Sequence, residues 1–372
     1  MKLHANYIEG IKSIVHKVIE EQVSADYAVK QVLKSNSKWG GRDRRSIAKA
    51  AYDIIRNHRH YASCVGTTNL VQIIEYYWEH QIVELRENEP FEDAYSIPEE
   101  FLDILNEELT KDVWQNEIVA SHGEAPIYIR VNSEKTTADK LSVELKKLAI
   151  EHQINGDVLI LNKRIQAKDN PLYMQGLFEF QDLGSQMIGK FLNPTPNTLV
   201  IDACAGAGGK SLHLSNIMKN SGNIIALDVD ETKLNNIKLR AKRNGATNII
   251  VKPIKGDLIS DMDEMADFLL LDVPCTGSGT IRRQPEIKFR LTKSYLAEKC
   301  KVQREILTKY SKMLKSGGTM VYSTCSILPS ENRKQVDAFL ENNVNFELIE
   351  DKQLYAHIDN TDGFYMAKMK RN

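Results

Sequence analysis

Thr198–Ser211 reads TLVIDACAGAGGKS, and the fold is decided there. The run Leu199-Val200-Ile201 is apolar without alternation, as in a strand buried on both faces. It ends on Asp202 and passes into a turn with glycine at 206, 208 and 209. Those glycines let the backbone curl tightly and approach a ligand, and a helix opening at Lys210 presents unpaired N–H groups to it. A strand, a glycine turn and a helix are the first half of a βαβ unit.

The grammar repeats downstream. NIIALDVD, NIIVKPI, ADFLLLDV and TMVYST read as further buried strands. ETKLNNIKLRAKRNG, closed by Gly245, reads as a helix, as do SYLAEKCKVQREILTKYSKMLKSGG and PSENRKQVDAFLENN. Apolar strands alternating with helices predict a parallel sheet covered on both faces. FELIE and GFYMAKMKR have no helix between them, so the sheet is expected to finish with an antiparallel edge.

Upstream the pattern changes twice. YIEGIKSIVHKVIEEQV and RRSIAKAAYDIIRNHRHYASCV carry apolar residues at spacings of three and four, the mark of amphipathic helices. ENEPFEDAYSIPEEF, with two prolines, reads as a connection. PIYIRVN, DVLILNK and LFEFQD read as strands around the helix TADKLSVELKKLAIEH. Three domains follow: an all-helical one over 1–120, a small α+β unit over 125–192, and a Rossmann-like α/β domain over 193–372.

The bulk numbers are those of an ordinary globular chain: 372 residues, 42% hydrophobic, 27% charged, net charge −1. Any nucleic acid must therefore be held by local basic patches, because the molecule as a whole supplies no positive field. No apolar run approaches the roughly 20 residues that span a bilayer, and MKLHANYIEGIKSIVHKVIEE is charged and amphipathic, unlike a secretory signal. A cytoplasmic monomer is expected. The five cysteines, Cys64, Cys204, Cys275, Cys300 and Cys325, never form CxxC, which argues against a disulfide framework and a structural metal.

In a parallel α/β sheet, ligands bind beyond the carboxyl ends of the strands. The turn there is not a P-loop, since the glycine required five positions before Gly209-Lys210-Ser211 is Cys204. Nor is it G-x-G-x-x-G, because Ser211 takes the last place. Asp228 ends the next strand, where a carboxylate can bind ribose hydroxyls. A glycine turn, a ribose acid and no phosphate device fit S-adenosylmethionine, whose nucleoside carries a sulfonium. The plainer alternative is that the glycines only allow close packing of helix on strand.

Two thiols sit just past strand ends, Cys275 in DVPCTGSG and Cys325 in VYSTCSILPSEN. A thiolate is a strong nucleophile toward an electron-poor carbon. Pyrimidine C5 is a poor nucleophile, but thiolate addition at C6 makes C5 enamine-like and able to attack a sulfonium methyl. A second cysteine beside the first would help expel the enzyme afterwards. Many cysteines are merely small buried apolar groups, and Cys64 and Cys300, within helical patterns, read that way. Cys204 reads as pocket lining.

DACAGAGGKS, DVPCTGSG, GSGTIRRQPEIKFR and VYSTCSILPSEN together resemble the RsmB/Nop2/NSUN family of RNA cytosine-5 methyltransferases, over essentially everything after residue 125. The resemblance implies a class I S-adenosylmethionine-dependent methyltransferase domain with Cys325 as nucleophile and Cys275 promoting product release. It places the cofactor contacts on Cys204, Ala205, Gly206, Ala207, Gly208, Gly209 and Lys210 and on Asp228, Asp257 and Asp272. FEFQDLGSQM looks like the family's Gln-Asp-x-x-Ser-Gln stretch. The family's usual Cys-Ala-Ala-Pro-Gly-Gly is here Cys-Ala-Gly-Ala-Gly-Gly, which spares the glycine pair. GGRDRRSIAKAAYDIIRNH resembles the NusB-like helical domain of the bacterial RsmB subgroup.

The expected partner is RNA, ribosomal RNA first, with Arg282, Arg283, Lys288 and Arg290 as substrate contacts beside GGRDRR and PIYIRVN. Two other functions compete: a DNA cytosine-C5 enzyme, which would not need Cys325, and a non-catalytic RNA-binding or ribosome-assembly factor on the same scaffold.

Overall fold

A computed structural model describes residues 3–80 and 85–372; residues 1–2 and 81–84, the latter inside the predicted helical half, lie outside the described residues. The chain divides into two compact units, Met1–Glu124 with Thr276–Leu296, and Ala125–Cys275 with Ala297–Asn372.

The first unit is helical. Ala5–Ile19, Ala25–Ser35, Gly41–Arg56, His58–Val65 and Leu70–His80 bury the aliphatic faces that the three-and-four spacing predicts, among them Ile11, Ile14, Ile47, Ile54, Ile73 and Ile74. Each such side chain contributes roughly 1.5–3 kcal/mol on burial. The stretch that reads as a connection holds a short helix, Phe91–Ala94, and opens another, Glu99–Glu108. Pro90 and Pro98 stand immediately before these helices, where a missing N–H costs nothing. The unit also contains Thr276–Leu296, which sequence reading places in the methyltransferase domain.

The second unit has two sheets. The smaller comprises β1 (Ile127–Val131), β2 (His152–Asn155), β3 (Val158–Leu161) and β4 (Phe178–Phe180), all antiparallel, in the order β2-β3-β1-β4. β2 is an exposed polar edge, HQIN, whose start the sequence pattern assigns to the end of the preceding helix. That helix stops at Lys147, and Ala149 takes a left-handed φ of 53°.

The larger sheet comprises β5 (Leu199–Asp202), β6 (Asn223–Asp228), β7 (Ile249–Pro253), β8 (Ala266–Asp272), β9 (Leu314–Thr324), β10 (Phe346–Leu354) and β11 (Phe364–Arg371). Its order is β10-β11-β9-β8-β5-β6-β7. β5 to β9 run parallel, and β11 lies antiparallel between β9 and β10, the predicted edge. Helix Glu231–Asn244 is capped by Asp230, which accepts from Thr232 N at 2.9 Å, and closed by Gly245 at φ 77°. β9 starts earlier than its apolar run. Leu314 pairs with Ala266 before the register shifts, and Gly317 and Gly318 fall within the strand.

The strand order reverses between β5 and β8, and that switch point is where ligands of such sheets bind. The parallel register Leu271 to Tyr322 and Asp272 to Ser323 brings the ends of β8 and β9 level. Among the described residues no helix is long and apolar enough to cross a membrane, and no cluster of His, Cys, Asp or Glu could hold a metal ion.

Candidate active site

The glycine turn is fastened to both neighbouring strands. Ala203 N donates to Leu270 O at 3.0 Å and Ala205 N to Leu227 O at 2.9 Å. Gly208 has φ 82°, and a Cβ there would lie 2.8 Å from Ile237, so the position requires glycine for conformation and for space. Gly206 N donates to Asp228 Oδ2 at 2.8 Å, while Asp228 Oδ1 accepts from Asp230 N at 2.9 Å. The predicted ribose acid is therefore held rigidly at the end of β6.

Asp202 is fully buried beneath the turn. Its Oδ2 accepts from Ser211 Oγ at 2.6 Å, and its Oδ1 has no partner. Burial pushes its pKa up to about 7. Cys204 lies close by, and burial followed by the charges of Asp202, Asp272 and Asp228 raises its thiol well above the usual range. That thiol stays protonated.

Lys210 lies in the first turn of the helix Gly209–Ile217, and its ammonium donates to Asp272 Oδ2 at 2.6 Å. Asp272 Oδ1 accepts from Ser323 Oγ at 2.9 Å, so one carboxylate ties the glycine turn to the tips of β8 and β9. Burial alone would lower the Lys210 pKa. Asp272 outweighs it, with a further contribution from Cys325, and the ammonium stays charged.

Beyond those tips Cys275 Sγ and Cys325 Sγ stand 3.2 Å apart. Their loops are pinned together. Gln303, fully buried, donates from Nε2 to Pro274 O at 3.0 Å and to Glu331 Oε1 at 2.9 Å. Tyr322 OH donates to Glu331 O at 2.6 Å, and Asn332 Nδ2 donates to Ser326 O at 2.9 Å. Sequence reading reaches Glu331 and Asn332 only as part of a motif and misses Gln303, which in a helical pattern looks like any polar face residue.

The remaining predicted residues fall elsewhere. Asp257 is exposed after β7, on the same carboxyl side of the sheet. Arg282, Arg283, Lys288 and Arg290 all belong to the helical unit. Arg283 is exposed, and the Arg290 guanidinium lies 5.9 Å from the Tyr295 ring. Lys288 corrects the sequence reading, which takes it for a surface cation. It is 2% exposed, its Nζ donates to Arg56 O at 2.9 Å and Tyr95 O at 2.8 Å, and burial pushes its pKa well below the ordinary lysine value. An amine enclosed in this way ties chain segments together and has no face for a phosphate.

Residues 189–370 match the family of 16S rRNA methyltransferases RsmB/F. The ribosomal RNA small subunit methyltransferase B of Yersinia enterocolitica is 31% identical over 304 residues, 78% of this chain and 70% of that one. The chain belongs to the RsmB/F family. The methyltransferase B of Shewanella oneidensis is 34% identical over 273 residues, 69% of this chain. That match spans 63% of the Shewanella protein, less than two thirds of its length. Among solved structures, PH0851 aligns over 100% of both chains with a TM-score of 0.81 at 24% identity, a likeness of fold. The RsmB/F match takes in the glycine turn, both strand-tip thiols and the Lys210–Asp272 ion pair.

Proposed function

We propose that this chain is an S-adenosylmethionine-dependent methyltransferase that modifies C5 of a cytosine in ribosomal RNA, in the cytoplasm. The observation that carries the reading is the pair of sulfurs 3.2 Å apart at adjoining strand tips, beside a paired lysine. Family membership supports the ribosomal substrate.

The turn suits that cofactor. Around it stand Asp202, Asp228 and Asp272, and the nearby ammonium of Lys210 is already engaged by Asp272. The carboxylates of Asp228 and Asp272 favour a nucleoside with a cationic sulfonium over one with phosphates, and Asp202, kept largely protonated by burial, adds less charge. The cofactor supplies an electrophilic methyl group when bound.

The chain's own residues do the rest. The Lys210 ammonium and a thiolate at Cys325 attract one another, and the thiolate is the form that attacks. Cys325 Sγ forms a bond to pyrimidine C6, and the electron pair moves onto C5, which would then take the methyl of a bound sulfonium, whose S–CH3 bond breaks to leave a neutral thioether. The C5 proton then leaves to a base, and the bond from Cys325 to C6 breaks, returning the thiolate. Cys275 Sγ lies close enough to Cys325 to promote that release. The cytosine must leave its stack to meet a half-buried sulfur, which favours an unpaired or splayed nucleotide. The helical unit, NusB-like by resemblance, supplies additional RNA contact.

RNA containing 5-azacytidine tests the reading. A covalent adduct should form with the parent chain and disappear in Cys325→Ala, while Cys275→Ala should accumulate adduct with natural RNA. Salt-sensitive binding without adduct would point to a scaffold factor, and C5 methylation by Cys325→Ala would sink the assignment of the nucleophile. Bisulfite mapping of cellular RNA with and without the protein then locates the cytosine.

A further inference from the structure

The face of helix Glu231–Asn244 that carries Ile237, Arg240 and Asn244, spaced by three and four, lies against two other parts of the same unit. Ile237 fills the space under Gly208. Arg240 donates from Nη1 to the carbonyl oxygen of Ala207, in the glycine turn, at 2.6 Å. Its Nη2 donates to Glu179 Oε2, on β4 of the small sheet, at 2.9 Å. One guanidinium thus joins the turn to the neighbouring sheet.

Glu179 is a built partner. It is 2% exposed, and its other oxygen accepts from Arg243 and from Asn244 Nδ2 at 2.5 Å. Burial by itself would raise its pKa, but Arg240, Asn244 and Arg243 outweigh that and hold it below the usual carboxylate range. The charge is therefore retained at neutral pH. Asn132, on the residue after β1, donates to Gly176 O at 2.8 Å and Asn244 O at 2.9 Å, so the small sheet and the helix share a wider buried polar network. A carboxylate with its charge fixed holds a guanidinium in one orientation, and the fork geometry of arginine lets it serve two acceptors at once.

We propose that Arg240, oriented by Glu179, is a positioning residue for the cofactor: it fixes the Ala207 carbonyl and with it the shape of the glycine turn, so that the small sheet helps set cofactor affinity. The proposal rests on S-adenosylmethionine occupying that turn. Arg240 itself need not touch the cofactor.

Arg243 supplies the control. It pairs with the same Glu179 oxygen that Asn244 uses and stacks 3.9 Å from the Tyr173 ring, without a bond to the turn. Titration calorimetry of the full chain with S-adenosylmethionine, alongside thermal melts, compares Arg240→Gln, Arg240→Lys and Arg243→Gln. Arg240→Gln should weaken cofactor binding about tenfold, the loss expected of one charge-assisted hydrogen bond. Arg243→Gln should keep the parent affinity even where its melt falls as far. Arg240→Lys, which keeps the charge but reaches one acceptor, should fall between them and covers the case in which the glutamine variant does not fold. Kinetically the loss should appear in KM for the cofactor and leave KM for RNA unchanged. Equal affinities for Arg240→Gln and the parent, or equal losses in Arg240→Gln and Arg243→Gln, would overturn the proposal. A parent chain that binds no S-adenosylmethionine overturns the cofactor reading first and takes this one with it.

Discussion

Asp202 shows what a single buried carboxyl does to the pH profile. Its folded pKa of about 7 stands above the 3.8 of an ordinary aspartate, because burial disfavours the charge. The protonated form is therefore preferred in the folded chain. Its contribution is complete below pH 4 and is lost as pH rises toward 7, on the order of 4 kcal/mol at about 1.4 kcal/mol per pH unit. Asp202→Asn keeps an acceptor for Ser211 and removes the titration. Denaturant unfolding at pH 4.5 and pH 7.5 should show the parent losing several kcal/mol more than the variant across that interval. Parallel profiles would contradict the assignment. Legibility at this scale is uneven. Cys275, Cys325 and the glycines can be picked out because their chemistry is rare for the positions they hold. Asp202 looks like the ordinary end of a strand, and only its enclosure makes it unusual.

At the scale of elements, the level ends of β8 and β9 put the two sulfurs together, and Gln303 keeps them so from the long helix Lys293–Tyr310. Gln303→Leu removes the donor that Pro274 O and Glu331 share. The expected cost is about 1–3 kcal/mol of stability, the usual penalty for disrupting a buried hydrogen-bonded group. The loop bearing Cys275 should also drift from Cys325, so product release should slow more than adduct formation, read as a larger fraction of enzyme trapped on RNA. Unchanged partitioning with lowered stability would restrict Gln303 to a structural role. Strand and helix types after Thr198 are readable because each buried strand is a continuous apolar run. Boundaries are less so. β2 has no apolar pattern because it is an exposed edge, and β9 reaches back through Gly317 and Gly318, residues that usually end an element. Glu179, Arg240 and Arg243 cannot be read as a set, because charges on a helix and a strand look like solvated faces until the fold brings them together.

For the whole molecule, the order of residues and the order of units disagree. Thr276–Leu296 belongs with residues before 125, and it is fastened there by Ala25 N donating to Glu286 Oε1 at 3.0 Å, by Lys288 and by Phe289 packed on the helical core. Two substitutions in this segment should separate support from RNA binding. Lys288→Met should lower the stability of the helical unit by about 1–3 kcal/mol, by leaving buried carbonyls unpaired. It should leave the salt dependence of RNA binding as it was. Arg283→Ala should weaken RNA binding, with the logarithmic salt slope reduced by about 0.7–0.9 for each phosphate it no longer neutralises. Reversed behaviour would return Lys288 to the RNA face. Sequence alone cannot show this division, because a 21-residue return to an earlier unit leaves no composition signal.

The detour also sets a clock on synthesis. The helices up to residue 124 leave the ribosome while Phe289 and Lys288 are still about 160 residues from being made. At roughly 5–20 residues per second that interval is on the order of 10–30 s. During it the nascent helical bundle lacks part of its interior and shows apolar surface to the cell. The helical unit thus stays incomplete until residue 296 has been made, and its dependence on chaperones should fall on that window.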